Sequence, residues 1–106
     1  MTDLPPVVHL NVGGTLFQVS RSTLELYKDT MLYRLISQRW NQESRNPNEP
    51  LFIDRNGVRF QYVLDWMRDR QVNLPVTESQ AAVFKELEYY GFQTVEASTI
   101  VPATAE

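Results

Sequence analysis

The chain has 106 residues, of which 42% are hydrophobic and 22% charged, with a formal net charge of −3 at pH 7 and a pI near 5.1; this is the composition of one ordinary folded domain. The acidic balance argues against a nucleic-acid surface, which needs clustered Lys and Arg, and the lack of any cysteine excludes disulfides, thiolate metal sites and a Cys nucleophile. No apolar run approaches the ~20 residues of a membrane span, and Met1-Thr2-Asp3-Leu4-Pro5-Pro6 is too short and polar for a signal peptide, so the expectation is a soluble cytoplasmic domain with no direct membrane insertion.

Residues 1–6 read as an extended lead-in, because Pro5 and Pro6 cannot donate to a ladder. Two β-prone runs follow, Val7 to Val12 and Thr15 to Ser20, separated by Gly13-Gly14, a strong hairpin signal. Primed turns need positive φ, which a residue with a Cβ resists. A phosphate cradle is the competing reading of the glycine pair, but neither G-x-x-x-x-G-K-[ST] nor G-x-G-x-x-G is present. On the first strand Val8, Leu10 and Val12 share one face and Val7, His9 and Asn11 the other. Phe17 and Val19 give the second strand an apolar face as well, so the hairpin needs a helical layer to cover it.

Ser20, Ser22 or Thr23 then caps a short helix through Leu24 to Tyr27. Asp29 or Thr30 caps a second one, whose Met31, Leu32, Leu35 and Ile36 recur at helical spacing. Asn41 to Pro50 holds no apolar residue and reads as an exposed loop. Trp40, at its entrance, either closes the edge of the core or anchors a partner. Leu51-Phe52-Ile53 suits a buried strand, ended by the Arg55-Asn56-Gly57 turn. From about Val58 to Arg70 a helix is predicted with Phe60, Val63, Leu64 and Met67 as its core stripe. Val72-Asn73-Leu74 is a small strand or extended link ended by Pro75. Thr77 to Gln80 fits a capping box, with Thr77 at the N-cap, opening a helix that buries Val83, Phe84, Leu87 and Tyr90 and ends at Gly91. From Gln93 onward no periodicity is sustained, so 93–106 reads as a tail or the start of a linker.

Four of these segments carry a resemblance. Leu10-Asn11-Val12-Gly13-Gly14-Thr15 followed by Phe17 resembles the opening strand-turn-strand of the potassium-channel tetramerisation domain, a branch of the BTB/POZ superfamily that includes the KCTD proteins. Leu51-Phe52-Ile53-Asp54-Arg55-Asn56-Gly57, Phe60-Gln61-Tyr62-Val63-Leu64-Asp65-Trp66-Met67-Arg68 and Glu86-Leu87-Glu88-Tyr89-Tyr90 resemble later motifs of the family. They stand in family order and cover most of Val7 to Phe92. One departure is Lys28, where members often carry Pro between the two early helices.

The resemblance implies an α/β fold of BTB/POZ type, a small mixed sheet with a hairpin covered by helices, over residues 7–92. It implies a protein–protein interaction domain that forms a homo-oligomer, a tetramer or pentamer, as the assembly module of a KCTD-like adaptor for a cullin-type ubiquitin ligase. The alternative is the cytoplasmic tetramerisation domain of a voltage-gated potassium channel. Subunit contacts in the family are largely polar and draw on the strand-turn-helix region, here Asp54, Arg55, Arg59, Asp65, Arg68 and Asp69. A cullin scaffold would dock on Tyr33, Trp40 and Glu43; family adaptors place a Glu two residues after an apolar one, whereas Gln42 holds that position and Glu43 follows one residue later. The zinc that some channel domains hold through His and Cys is excluded without cysteine.

An enzyme is not expected. His9 is the only histidine and, on the polar face of a strand, reads as a surface or interface residue; Ser20 and Ser22 have no second histidine to activate them. Asp54, Asp65 and Asp69 lack the spacing of a calcium loop. No cofactor is implied.

Overall fold

The hairpin forms as its sequence dictates. In a computed structural model, which describes residues 4–41, 46 and 49–103, β1 (Val7–Val12) pairs antiparallel with β2 (Thr15–Ser20) from Val7↔Ser20 to Val12↔Thr15. Gly13 and Gly14 have φ of 58° and 101°, the two positive values a type I′ turn requires. The Asn11 side-chain oxygen accepts from the Gly14 N–H at 2.8 Å. A third strand, β3 (Leu51–Ile53), joins β1 in parallel, so the sheet is mixed, in the order β2-β1-β3. Val8, Leu10, Val12 and Val19 are buried with Leu51 and Ile53.

Phe52 departs from the expectation of a wholly buried strand. It is 57% exposed, because side chains alternate along a strand and only the Leu51 and Ile53 side faces the core.

Two short helices complete the unit Met1–Gly57. Ser20 caps α1 (Arg21–Glu25), accepting from the Thr23 N–H. The lead-in is tied to this helix by the Arg21 N–H on the Pro6 carbonyl at 2.9 Å and the Arg21 guanidinium on the Leu4 carbonyl at 2.8 Å. Thr30 caps α2 (Met31–Trp40): its buried hydroxyl donates to the Tyr27 carbonyl at 2.7 Å and accepts from the Tyr33 N–H at 3.2 Å. Thr30 thus ties the turn that follows α1 to the start of α2, and Lys28 lies within that turn. Leu24, Tyr27, Leu32 and Ile36 are buried.

The second unit, Val58–Glu106, takes up α3 (Gly57–Asp69), β4 (Val72–Asn73), α4 (Gln80–Tyr89) and β5 (Ile100–Val101). On α3 the stripe of Phe60, Val63, Leu64 and Met67 is buried as its spacing predicts. Trp66 is buried too: its indole N–H donates to the Thr99 hydroxyl at 2.9 Å and its ring meets Phe92 edge-on at 5.7 Å. Past the helix end, Arg70 takes a left-handed backbone, φ 59°, with its guanidinium 4.7 Å from the Trp66 ring centroid.

Two expectations are corrected in this unit. The N-cap of α4 is Ser79, whose hydroxyl accepts from the Ala82 N–H, not Thr77. A turn in which the Glu78 N–H donates to the Pro75 carbonyl consumes the Thr77 region and delays the helix by two residues. Gln80 therefore does not close a capping box; its amide donates to the Ala97 and Ile100 carbonyls at 3.0 and 2.8 Å. Those carbonyls belong to the second correction, since the segment read as a tail forms a 3-10 turn, Ala97–Thr99, and then β5, parallel to β4. Ile100 is fully buried.

Gly91 ends α4 as expected, at φ 87°. The Phe92 N–H donates to the Leu87 carbonyl and the Gly91 N–H to the Glu88 carbonyl, the paired bonds of a Schellman motif, with Phe92 and Leu87 both buried as its apolar clasp.

Candidate interaction surfaces

In the first unit the sheet has one apolar side and one open side. Pairing places Asn11 beside Leu16 on β2 and beside Phe52 on β3, and neighbours in register point to the same face. The row Leu16, Asn11, Phe52 therefore crosses all three strands on the face opposite the core. Leu16 is 68% and Phe52 57% exposed, and Val7, also exposed, lies on the same face. His9 and Gln18 form the next row. Leu16 was legible in the sequence, since a two-residue turn fixes it opposite Asn11. Phe52 was not, because nothing local sets the register of a parallel pair separated by a long connection.

Asp54 and Arg55, expected at a subunit contact, follow directly on β3. They are held in place by two glycines. A Cβ on Gly13 would lie 2.2 Å from the Arg55 carbonyl oxygen, and one on Gly57 would lie 2.1 Å from the Val12 carbonyl oxygen. The Gly13 N–H and the Arg55 N–H both donate to the Ile53 carbonyl at 2.9 Å. The hairpin turn and the Asp54-to-Gly57 turn are thus packed backbone against backbone, with Asp54 exposed and Arg55 half-buried.

The other four expected residues lie on α3 in the second unit. Asp65, Arg68 and Asp69 are exposed and share a helical face with Val58 and Gln61, at offsets of three, seven, ten and eleven residues from Val58. Val58 is exposed as well, so the face mixes one apolar residue with three charges. Arg59 stands apart on the flank. Its guanidinium pairs with the Glu78 carboxylate at 2.9 Å, and the same oxygen accepts from the Ser79 N–H. This pins the start of α3 to the turn that precedes α4, a role the charge pattern of α3 alone does not reveal.

Tyr33 and Trp40 lie on α2 one face apart from its buried Leu32 and Ile36. With Ser37 they occupy positions i, i+4 and i+7, hence one stripe, and all three are half-buried. The Ser37 hydroxyl donates to the Tyr33 carbonyl at 2.8 Å. Glu43 and Gln42 lie outside the described residues. Beyond α2, Arg39 reaches Glu49 at 3.7 Å.

None of the described helices is long and apolar enough to cross a membrane. Compared with known families, residues 8–100 match the model described as a BTB/POZ domain, a span that runs through both units and into β5.

Proposed function

The chain belongs to the BTB/POZ domain family, in its potassium-channel tetramerisation branch, a family of protein–protein interaction and oligomerisation modules, and from that premise we propose that it assembles with copies of itself into a closed ring of four or five. The observation that carries this reading is the open sheet face. Leu16 and Phe52 stay 68% and 57% exposed, with Val7 exposed on the same face, and exposed apolar surface rimmed by polar groups marks an interface. Asp54, two residues beyond Phe52, puts a carboxylate on the border of that face.

Ring closure needs a heterologous contact, one patch meeting a different patch on the neighbour. Leu16, Phe52, Asp54 and Arg55 supply one; Asp65, Arg68 and Asp69 supply the other, and Arg59 braces the helix that carries them. The finer role is that of a KCTD-like adaptor for a cullin-type ubiquitin ligase, docking through Tyr33 and Trp40. The Asn56-Gly57 turn and the Tyr62 to Asp69 run resemble that branch more than the channel domains, which favours the adaptor over the assembly of channel subunits.

Native mass spectrometry or light scattering tests the assembly directly. The expected mass is four or five times that of the 12.3 kDa chain at micromolar concentration, reduced to monomer by Phe52→Glu or by Arg55→Glu with Asp65→Arg. A monomeric wild type, or variants that keep its mass, overturns the proposal.

A further inference from the structure

The C-terminal end of α4 and the chain that leaves it border a groove of about 380 Å³, lined by Phe84, Glu88 and the run from Gly91 to Val95. That volume falls within the range of about 300–1,000 Å³ typical of ligand pockets. Thr94 shapes one wall. It has φ 61°, unusual for a β-branched residue, and its hydroxyl donates to the Gln93 carbonyl.

The groove is chemically one-sided. Among the described residues Glu88 is the only charged one that lines it, and the helix end at Gly91 presents the negative end of the α4 dipole. Lys85 lies on the same helix but does not line it. Glu96, exposed and one residue past Val95, adds a second carboxylate to the segment that leaves the helix. Phe84 and Val95, both half-buried, add an aromatic and an aliphatic wall, while Phe92 is buried. We propose that this groove recognises an arginine or lysine side chain presented by a basic segment of a partner protein.

A purely apolar occupant would strip water from Glu88 without giving it a partner, which is unfavourable. A metal ion would need several oxygen ligands, and a single carboxylate lines the site. An Arg or Lys side chain satisfies every wall. Its methylene stem packs on Val95, its cation faces the Phe84 ring, and its N–H groups meet Glu88. The chain's net charge of −3 steers basic segments toward it.

The inference goes beyond self-assembly, and peptide affinity reads it separately from mass. The probe is a fluorescein-labelled nonapeptide of alternating Arg and Leu, titrated by anisotropy beside counterparts with Gln or Glu in place of Arg. The Arg peptide is expected to bind saturably and shift the amide signals of Gly91, Gln93 and Thr94. Both the Gln peptide and the exposed-site variant Glu88→Gln are expected to weaken binding about fivefold, and Glu88→Lys to abolish it. Equal binding of the Arg and Gln peptides, an unaffected Glu88→Lys variant, or shifts confined to other residues overturns the proposal.

Discussion

Gly13 and Gly57 interlock, each lying where a side chain would strike the backbone of the other's turn. The nearest atom to a Cβ on Gly13 is the Arg55 carbonyl oxygen, and to one on Gly57 the Val12 carbonyl oxygen with Thr15 behind it. Backbone atoms cannot swing aside as a flexible side chain does. The two glycines therefore set how closely the hairpin turn approaches the turn that presents Asp54 and Arg55, and a stability measurement can weigh them.

Gly13→Ala adds this clash to positive-φ strain, and a loss on the order of 3 kcal/mol is expected, a large share of a typical domain's stability. Gly14→Ala meets open space and only the strain of φ 101°, so a loss of about 1–2 kcal/mol is expected. Gly57→Ala decides between two opposed effects. As the first residue of α3, Ala is favoured by up to about 1 kcal/mol of helix propensity, yet the clash with Val12 outweighs it. Urea midpoints ordered wild type, Gly14→Ala, then the other two support this account; a Gly57→Ala protein as stable as wild type refutes it.

The ion pair between Arg59 and Glu78 makes the second prediction. The Glu78 side chain is only 9% exposed and that of Arg59 29%, so the pair is better shielded than a surface pair. Glu78 also sits at the positive end of α4 and accepts from the Ser79 N–H. Removing it takes a carboxylate away from a partly buried guanidinium. Glu78→Ala is expected to cost about 1–2 kcal/mol, with Glu78→Gln milder because an acceptor oxygen remains. Thermal unfolding resolves this as a drop of roughly 4–8 °C per kcal/mol. A Glu78→Ala melting temperature within error of wild type would remove the pair from the account of stability.

Legibility divides along physical lines. The strands β1 and β2, the Thr30 cap, the α3 stripe and the Gly91 stop were readable because each rests on local rules: a two-residue turn, a side chain that caps its own helix, a 3.6-residue period. The misplaced α4 cap is a contest between two local signals, in which the turn at Pro75 displaced the Thr77 box. Phe52 and β5 were hidden for another reason. Each depends on pairing with a strand distant in sequence, Asn11 for one and the Val72 strand for the other, and a two-residue strand has no period to read.

That hidden strand yields the third prediction. The Gln80 amide holds the segment before β5 through the Ala97 and Ile100 carbonyls. Gln80→Ala gives up two hydrogen bonds worth about 1 kcal/mol each, while Ala is itself a strong helix former. Local opening of β5 should therefore rise more than global unfolding does. Amide exchange checks it: the Val101 region is expected to exchange several-fold faster in Gln80→Ala, with the α3 core unchanged. Uniform acceleration throughout the unit, or none, contradicts this.

The last prediction separates docking from assembly. Tyr33 and Trp40 share a stripe on α2, and Trp40 is half-buried, so its ring is both held and presented. An aromatic anchor at the centre of an interface contributes 2 kcal/mol or more, about thirtyfold in affinity. The proposed ring contacts draw on the open sheet face and on α3, not on this stripe. Trp40→Ala is thus expected to abolish calorimetric binding to a cullin N-terminal domain while leaving the oligomer mass unchanged. No heat from the wild type at tens of micromolar sinks the ligase-adaptor role and leaves self-assembly standing. If Trp40→Ala lowers the oligomer mass along with the affinity, α2 belongs to the ring, and the separation of the two surfaces fails.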